Sequence, residues 1–161
     1  MASAESPPRV LRADESDLDQ ILALTHRAYA RNVALGFRYT GATESMDSLR
    51  HSWERERVYK LVFAHEIVGS VRLIDVDEKC LEVKRLCVDP AYQKRGLGSK
   101  LLRFAEEEAR GRGFSRVRLD TAKPFRELVE WYARQGYSIV GEMRFPDVNY
   151  DSVLMEKLVH G

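Results

Sequence analysis

The stretch Gln93-Lys94-Arg95-Gly96-Leu97-Gly98-Ser99 carries the plainest chemistry in the sequence. It follows an apolar run, Leu86-Cys87-Val88, and a turn at Asp89-Pro90. It opens a segment reaching about Gly111, with apolar side chains at 97, 101, 102, 104, 105 and 109, which line one helical face. The order is therefore strand, tight turn, helix N-terminus, with two glycines at the junction. A helix N-terminus leaves backbone N–H groups unpaired and carries about half a positive charge, so anions settle there. Gly96 and Gly98 let a phosphate approach the backbone, Lys94 and Arg95 add full charges, and the Ser99 hydroxyl adds a donor. Residues of these types in this order suit a pyrophosphate cradle. The Walker spacing of Gly, four residues, Gly and Lys-Ser/Thr does not occur, and the third glycine of a dinucleotide fingerprint is replaced by Lys100 or Leu101.

Several elements must hold that cradle in place. Arg9–Arg12 reads as a short first strand, and Asp14 can cap a helix with Leu18, Ile21, Leu22, Thr25, Ala28 and Tyr29 on one face. The segment from Asn32 to Gly41 loses periodicity and reads as a mobile, aromatic loop before a second helix over about 45–57. Three strands follow, near 58–65, 67–76 and 79–88, with a turn at Asp77-Glu78, and this antiparallel meander leads into the cradle. Beyond the cradle helix, Arg116–Ala122 alternates as a strand, and the intervening helix makes it parallel to the strand ending at Val88. A helix from Pro124 to Gln135 and strands near 137–142 and 150–158 complete the chain. This is an α+β (α/β/α) sandwich with a mixed, mostly antiparallel sheet of about seven strands and helices on both faces. A chain of 161 residues suits a single domain over 1–161, with 1–8 as a loose leader.

Composition removes several classes of function. Lys and Arg number 26 against 25 for Asp and Glu, so no global charge draws the chain to nucleic acid or to an anionic membrane. The Lys94/Arg95 and Arg110/Arg112 clusters lack interleaved aromatics, and no nucleic-acid partner is expected. No apolar run reaches the length of a membrane span, and the N-terminus lacks a signal-peptide core. Cys80 and Cys87 lie too far apart for a two-residue metal or redox pair and read as reduced thiols in a cytoplasmic protein. The four histidines show no ligand spacing, so no metal is expected.

The pattern Gln/Arg-x-x-Gly-x-Gly/Ala, met by Gln93, Gly96 and Gly98, resembles that of the GNAT family of N-acetyltransferases. The resemblance extends from Leu86-Cys87-Val88-Asp89-Pro90 through the motif to Glu130-Trp131-Tyr132-Ala133-Arg134-Gln135-Gly136-Tyr137. It implies acetyl-CoA as donor and CoA as product. It also implies that the strands ending at Val88 and near Ala122 splay into a V-shaped slot. The pantetheine arm would pair there with the backbone of Leu86, Cys87 and Val88, and the pyrophosphate would take the amides from Gln93 to Ser99. Many relatives carry an asparagine about seven residues before the helix tyrosine; Phe125 stands there, at the edge of the CoA site.

Acetyl transfer needs a base for the amine, donors for the thioester oxygen and a proton for the departing thiolate. By resemblance Tyr132 supplies that proton and the backbone N–H of Val88 supplies a donor; the alternative for Tyr132 is packing beside Trp131. Glu82, eleven residues before Gln93, matches the base of the histone-modifying relatives. It could equally belong to an exposed alternating face and pair with a cation. Arg85 either grips a substrate carboxylate or pairs with Glu82. Cys87, in a buried strand, is not primed as a nucleophile, which leaves direct transfer in a ternary complex. In the family the loop between the first two helices and the loop before the last strand line the acceptor site. Here they bring Phe37, Tyr39 and Thr40, and Asp147, Asn149 and Tyr150. A small-molecule amine or amino acid is the expected acceptor, with a peptide or protein amine as the alternative. A CoA-binding regulatory module is the non-enzymatic one. Many members of that family form homodimers, and no stripe of this sequence is diagnostic of one.

Overall fold

The computed structural model describes residues 6–159. The first strand, β1 (Arg9–Arg12), leads to Asp14, whose backbone N–H donates to the Asp17 carboxylate at 2.7 Å and starts a 3-10 turn over Glu15–Asp17. Helix α1 continues from Leu18 to Ala34, further than the loss of periodicity at Asn32 indicates. The following segment is tied down rather than loose. The Arg38 N–H donates to Asn149 Oδ1 at 3.0 Å, and the Tyr39 hydroxyl meets Thr121 Oγ1 at 2.8 Å. Helix α2 (Met46–Arg55) is capped by Ser45 Oγ, which accepts from the Ser48 N–H at 3.1 Å.

Strands β2 (Arg57–Phe63) and β3 (Glu66–Asp75) are joined by Ala64-His65, both with positive φ (53° and 65°). That is the two-residue geometry normally built from Asn-Gly, and Ala-His gives no such signal, so the sequence reading placed the strand ends one or two residues off. Asp77 Oδ1 accepts from the Lys79 and Cys80 N–H groups at 2.7 and 2.8 Å and turns the chain into β4 (Cys80–Val88). Helix α3 (Leu97–Gly111), β5 (Arg116–Ala122), α4 (Arg126–Arg134), β6 (Ser138–Arg144) and β7 (Asp151–Leu158) follow.

The sheet order is β1-β2-β3-β4-β5-β7-β6, with β4 and β5 as its parallel pair. The strand pattern sorts side chains to two faces. On one, Leu97, Leu101, Leu102 and Ala105 of α3 pack against Val71, Leu81 and Val117. On the other, Leu18 and Ile21 of α1 and Leu49 of α2 close over Val58. Among the described residues no helix is long and apolar enough to cross a membrane. Leu101 is wholly buried at the centre of the first face. Leu101→Ala is expected to cost about 2–5 kcal/mol of stability, read as a lower denaturant midpoint at unchanged slope.

Candidate active site

The site begins where the sheet comes apart. Strands β4 and β5 pair at Cys80–Arg116, Leu81–Val117 and Glu82–Arg118, and no pairing follows toward their C-terminal ends. A bulge at Arg85–Leu86 shifts the β3–β4 register between Ser70 and Arg72, and Arg85 takes φ +52°. A non-glycine residue in that region needs support from outside. Arg85 Nη1 donates to Thr40 Oγ1 at 3.0 Å, and its Nε lies 3.8 Å from Glu44 Oε2. Arg85 thus pairs with Glu44, not with Glu82. Beneath it Arg72 grips both oxygens of Glu44, Nη1 reaching Oε2 at 2.7 Å. Burial pushes the Glu44 carboxyl up, but the Arg72 hydrogen bond and charge, with Arg85 and Ser48, outweigh it and hold the group below its ordinary value.

One cavity of about 580 Å³ opens on the α3–α4 side of this splay. Its floor is the predicted cradle. The Asp89 carboxylate accepts from the Ala91 N–H at 3.0 Å and from Arg27 at 2.8 Å, holding the turn after β4. Gln93 is fixed between Arg31, which donates to its Oε1 at 2.6 Å, and the Val88 carbonyl at 3.3 Å. Gly96, with φ +75°, is the N-cap of α3, and no atom lies within 4 Å of where its Cβ would stand. A phosphate-sized space therefore adjoins free helix N–H groups. Lys94, Leu97, Gly98 and Ser99 also line the cavity. Arg95 does not: its guanidinium lies 5.4 Å from the Tyr92 ring centre.

Further along, Leu86, Cys87 and Val88 form one wall of the same cavity, and Phe125 stands opposite. The Leu86 carbonyl accepts from the Tyr29 hydroxyl at 3.1 Å. Phe125 stacks on Phe37, centroids 4.8 Å apart and planes 13° from parallel, so Phe37 serves this side and lines neither cavity. Tyr132 closes the inner end; it is 7% exposed and packs edge-on to Trp131 at 4.9 Å. Burial, helped by the nearby Tyr39, Asp120 and Cys87, pushes its phenol far above the ordinary value, so it keeps its proton at neutral pH. Burial likewise raises the Cys87 thiol to about 11, leaving it a poor nucleophile.

A second cavity of about 490 Å³ lies on the α1–α2 side. Both cavities share Tyr29, Tyr39, Arg85 and Asp120, so the splay is a passage between them. Glu82 and Tyr150 line the second cavity, and Tyr150 sits 5.2 Å from Tyr39, centre to centre. Asn149 does not line it: its amide donates to the Gly36 carbonyl at 3.1 Å and ties two loops together. The Glu82 side chain is 17% exposed, with Arg118 Nη2 at 4.0 Å. Burial raises its carboxyl, Asp120 and Glu56 add to the rise, and Lys84 and Arg118 oppose it. Asp120 is reached by solvent within the cleft but walled by protein, and its carboxyl is raised in the same way.

Asp120, Lys84 and Glu56 were not picked out by sequence reasoning as site residues. The alternation of β5 puts Asp120 on the face of Arg118, but only the splay makes that face a passage wall. Among the described residues no three His, Cys, Asp or Glu side chains gather as a metal site.

A splayed parallel pair with an open helix N-terminus on one side and a polar cavity on the other suits group transfer between two molecules that meet across the sheet. The chain matches the acetyltransferase (GNAT) family over residues 21–137 and belongs to it. Membership makes acetyl-CoA the acetyl donor, and the open cradle at Gly96 fits its pyrophosphate. The S-(2-succino)cysteine N-acetyltransferase of Bacillus subtilis is 31% identical over 143 residues, which span 84% of this chain and 87% of that protein. Two crystal structures share the fold. The PaiA N-acetyltransferase from Thermoplasma acidophilum in complex with coenzyme A has a TM-score of 0.80 at 17% identity, covering 95% of this chain and 99% of the other. The ribosomal-protein-S18-alanine N-acetyltransferase from Escherichia coli has a TM-score of 0.79 at 19% identity, covering 96% of each chain.

Proposed function

We propose that the chain transfers acetyl from acetyl-CoA directly to the primary amine of a small molecule, with Glu82 as base and Tyr132 as acid. The observation that carries this reading is the pair of cavities meeting at one passage, walled by Tyr29, Tyr39, Arg85 and Asp120. The acceptor side is bounded by Tyr39, Phe145, Val148 and Tyr150, and its volume of about 490 Å³ suits a small molecule. The similarity to an enzyme named for a modified cysteine points the same way.

In this scheme the acceptor ammonium gives a proton to the Glu82 carboxylate. The freed amine attacks the thioester carbon; a C–N bond forms and the C–S bond breaks. The Val88 N–H steadies the developing oxyanion, and the Tyr132 hydroxyl gives its proton to the leaving sulfur. Tyr132 regains a proton from the acylated nitrogen, so one proton leaves through Glu82 to solvent. A carboxylate with a raised pKa suits a base working near neutrality.

The test is CoA-thiol release from acetyl-CoA against a panel of small amines, amino acids and short peptides. Release with a small amine or amino acid is expected; release with peptides alone would overturn the small-molecule reading. At saturating acceptor, kcat is expected to fall toward low pH with a midpoint above the ordinary glutamate value of about 4.3, because only ionised Glu82 accepts the proton. Glu82→Gln is expected to lower kcat by about 100-fold and abolish that limb. Persistence of the limb in the variant would assign the base elsewhere.

A further inference from the structure

Two tyrosines stand where the sheet has lost its rungs. Beyond the last β4–β5 pair, Glu82 with Arg118, the strands separate, and backbone groups along the gap need other partners. On the β4 side the Tyr29 hydroxyl donates to the Leu86 carbonyl at 3.1 Å. On the β5 side the Ala122 N–H donates to the Tyr39 hydroxyl at 3.3 Å, and that hydroxyl also meets Thr121 Oγ1 at 2.8 Å. The two ring centres lie 5.6 Å apart with planes 42° from parallel, so the side chains touch and form one aromatic wall across the gap.

That wall cannot retreat. Gly41 lies behind Tyr29, buried in the 3-10 turn Thr40–Thr43, and a Cβ there would stand 2.6 Å from the Tyr29 ring. The missing side chain lets the ring lie against the turn, so it is held at its face as well as at its hydroxyl. Tyr39 is held at its hydroxyl by two partners on β5 and at its ring by Tyr29 and Tyr150. Both tyrosines line both cavities. The transferred acyl group must stand at this passage, because the thioester arrives from one cavity and the amine from the other. Each carbon added to the acyl chain then has to fit against rings that are already close-packed.

We propose that Tyr29 and Tyr39 set the acyl-chain length that the enzyme accepts, admitting acetyl and turning away longer CoA thioesters. This assignment concerns the donor and holds whichever amine is the acceptor. It shares with the transfer scheme above only the placing of the thioester at the passage.

The experiment compares acetyl-, propionyl- and butyryl-CoA at one fixed acceptor. Propionyl-CoA is expected to fall about tenfold or more below acetyl-CoA in kcat/KM, the worth of one methylene in a close-fitting pocket, and butyryl-CoA further still. Tyr29→Leu and Tyr39→Leu keep an apolar filling and shorten the wall. Each is expected to narrow the acetyl-to-propionyl ratio about tenfold. The ratio cancels any general loss of activity, of acceptor affinity or of folded protein. Wild-type enzyme that uses butyryl-CoA as readily as acetyl-CoA, or a ratio unmoved in either variant, would overturn the assignment. Calorimetric titration of the acceptor-free protein reads the same wall without turnover. There propionyl-CoA is expected to bind about tenfold more weakly than acetyl-CoA, and the leucine variants to erase the difference. That pattern supports the assignment even if no amine is acetylated, in which case the transfer scheme alone fails. Equal affinity of the wild-type protein for all three thioesters overturns the assignment itself.

Discussion

Tyr132→Phe is expected to lower kcat by about 100-fold while leaving acetyl-CoA affinity and the melting temperature nearly unchanged. The ring is buried against Trp131 at 4.9 Å and Tyr137 at 6.1 Å, and phenylalanine keeps both contacts. What disappears is the hydroxyl, which has no hydrogen-bond partner among the described residues and so braces nothing. Its burial at the inner end of the cavity, beside Asp120 and Tyr39, keeps the phenol protonated, and in the proposed scheme it passes that proton to the thiolate as the acylated nitrogen returns one. Paired measurements of kcat and of acetyl-CoA binding check this. A variant that loses affinity and melts early would show that Tyr132 serves packing.

Gly96→Val is expected to weaken acetyl-CoA binding by more than about 100-fold, close to 2.7 kcal/mol. Two effects combine. The backbone at φ +75° is strained for a β-branched residue, and the new side chain points into open space, where the pyrophosphate would lie. Gly113→Val separates them, because Gly113 has φ +84° and equally open surroundings but lies past the far end of α3. Both variants should lose comparable stability by calorimetry, and only Gly96→Val should lose affinity. Equal affinity in the two would remove the pyrophosphate from Gly96.

The strand–turn–helix junction was legible because its information is local: two glycines and a hydroxyl at the start of a helix whose apolar spacing announces itself, whereas Arg95, read as part of the cradle, lies over Tyr92 instead. The sheet was legible in its strands and in the parallel run of β5. The splay was supplied only by family resemblance, since strand pairing across an intervening helix leaves no periodic trace. The bulge at Arg85 carries no sequence signal, because arginine does not advertise a left-handed backbone. Glu44 and Arg72 belong to no motif in the sequence, yet they are 6% and 3% exposed and pair beneath the acceptor cavity. Phe37 and Asn149 show the converse. Their types suited substrate contact, but one stacks on Phe125 and the other binds the Gly36 carbonyl and the Arg38 amide. Tyr137, part of the resembling stretch, is a brace: its hydroxyl donates to the buried Glu106 carboxylate at 2.9 Å.

The seam between β4 and β5 also bears on how long the protein lasts. Three residue pairs hold β1–β4 to β5–β7 within the sheet, and beyond them β4 and β5 do not pair with each other. A donor thioester lodged in that gap would bridge two half-sheets joined within the sheet by three residue pairs. By mass action, free acetyl-CoA at a hundred times its dissociation constant adds about 2.7 kcal/mol to the folded state. Resistance to proteolysis is therefore expected to rise with acetyl-CoA concentration.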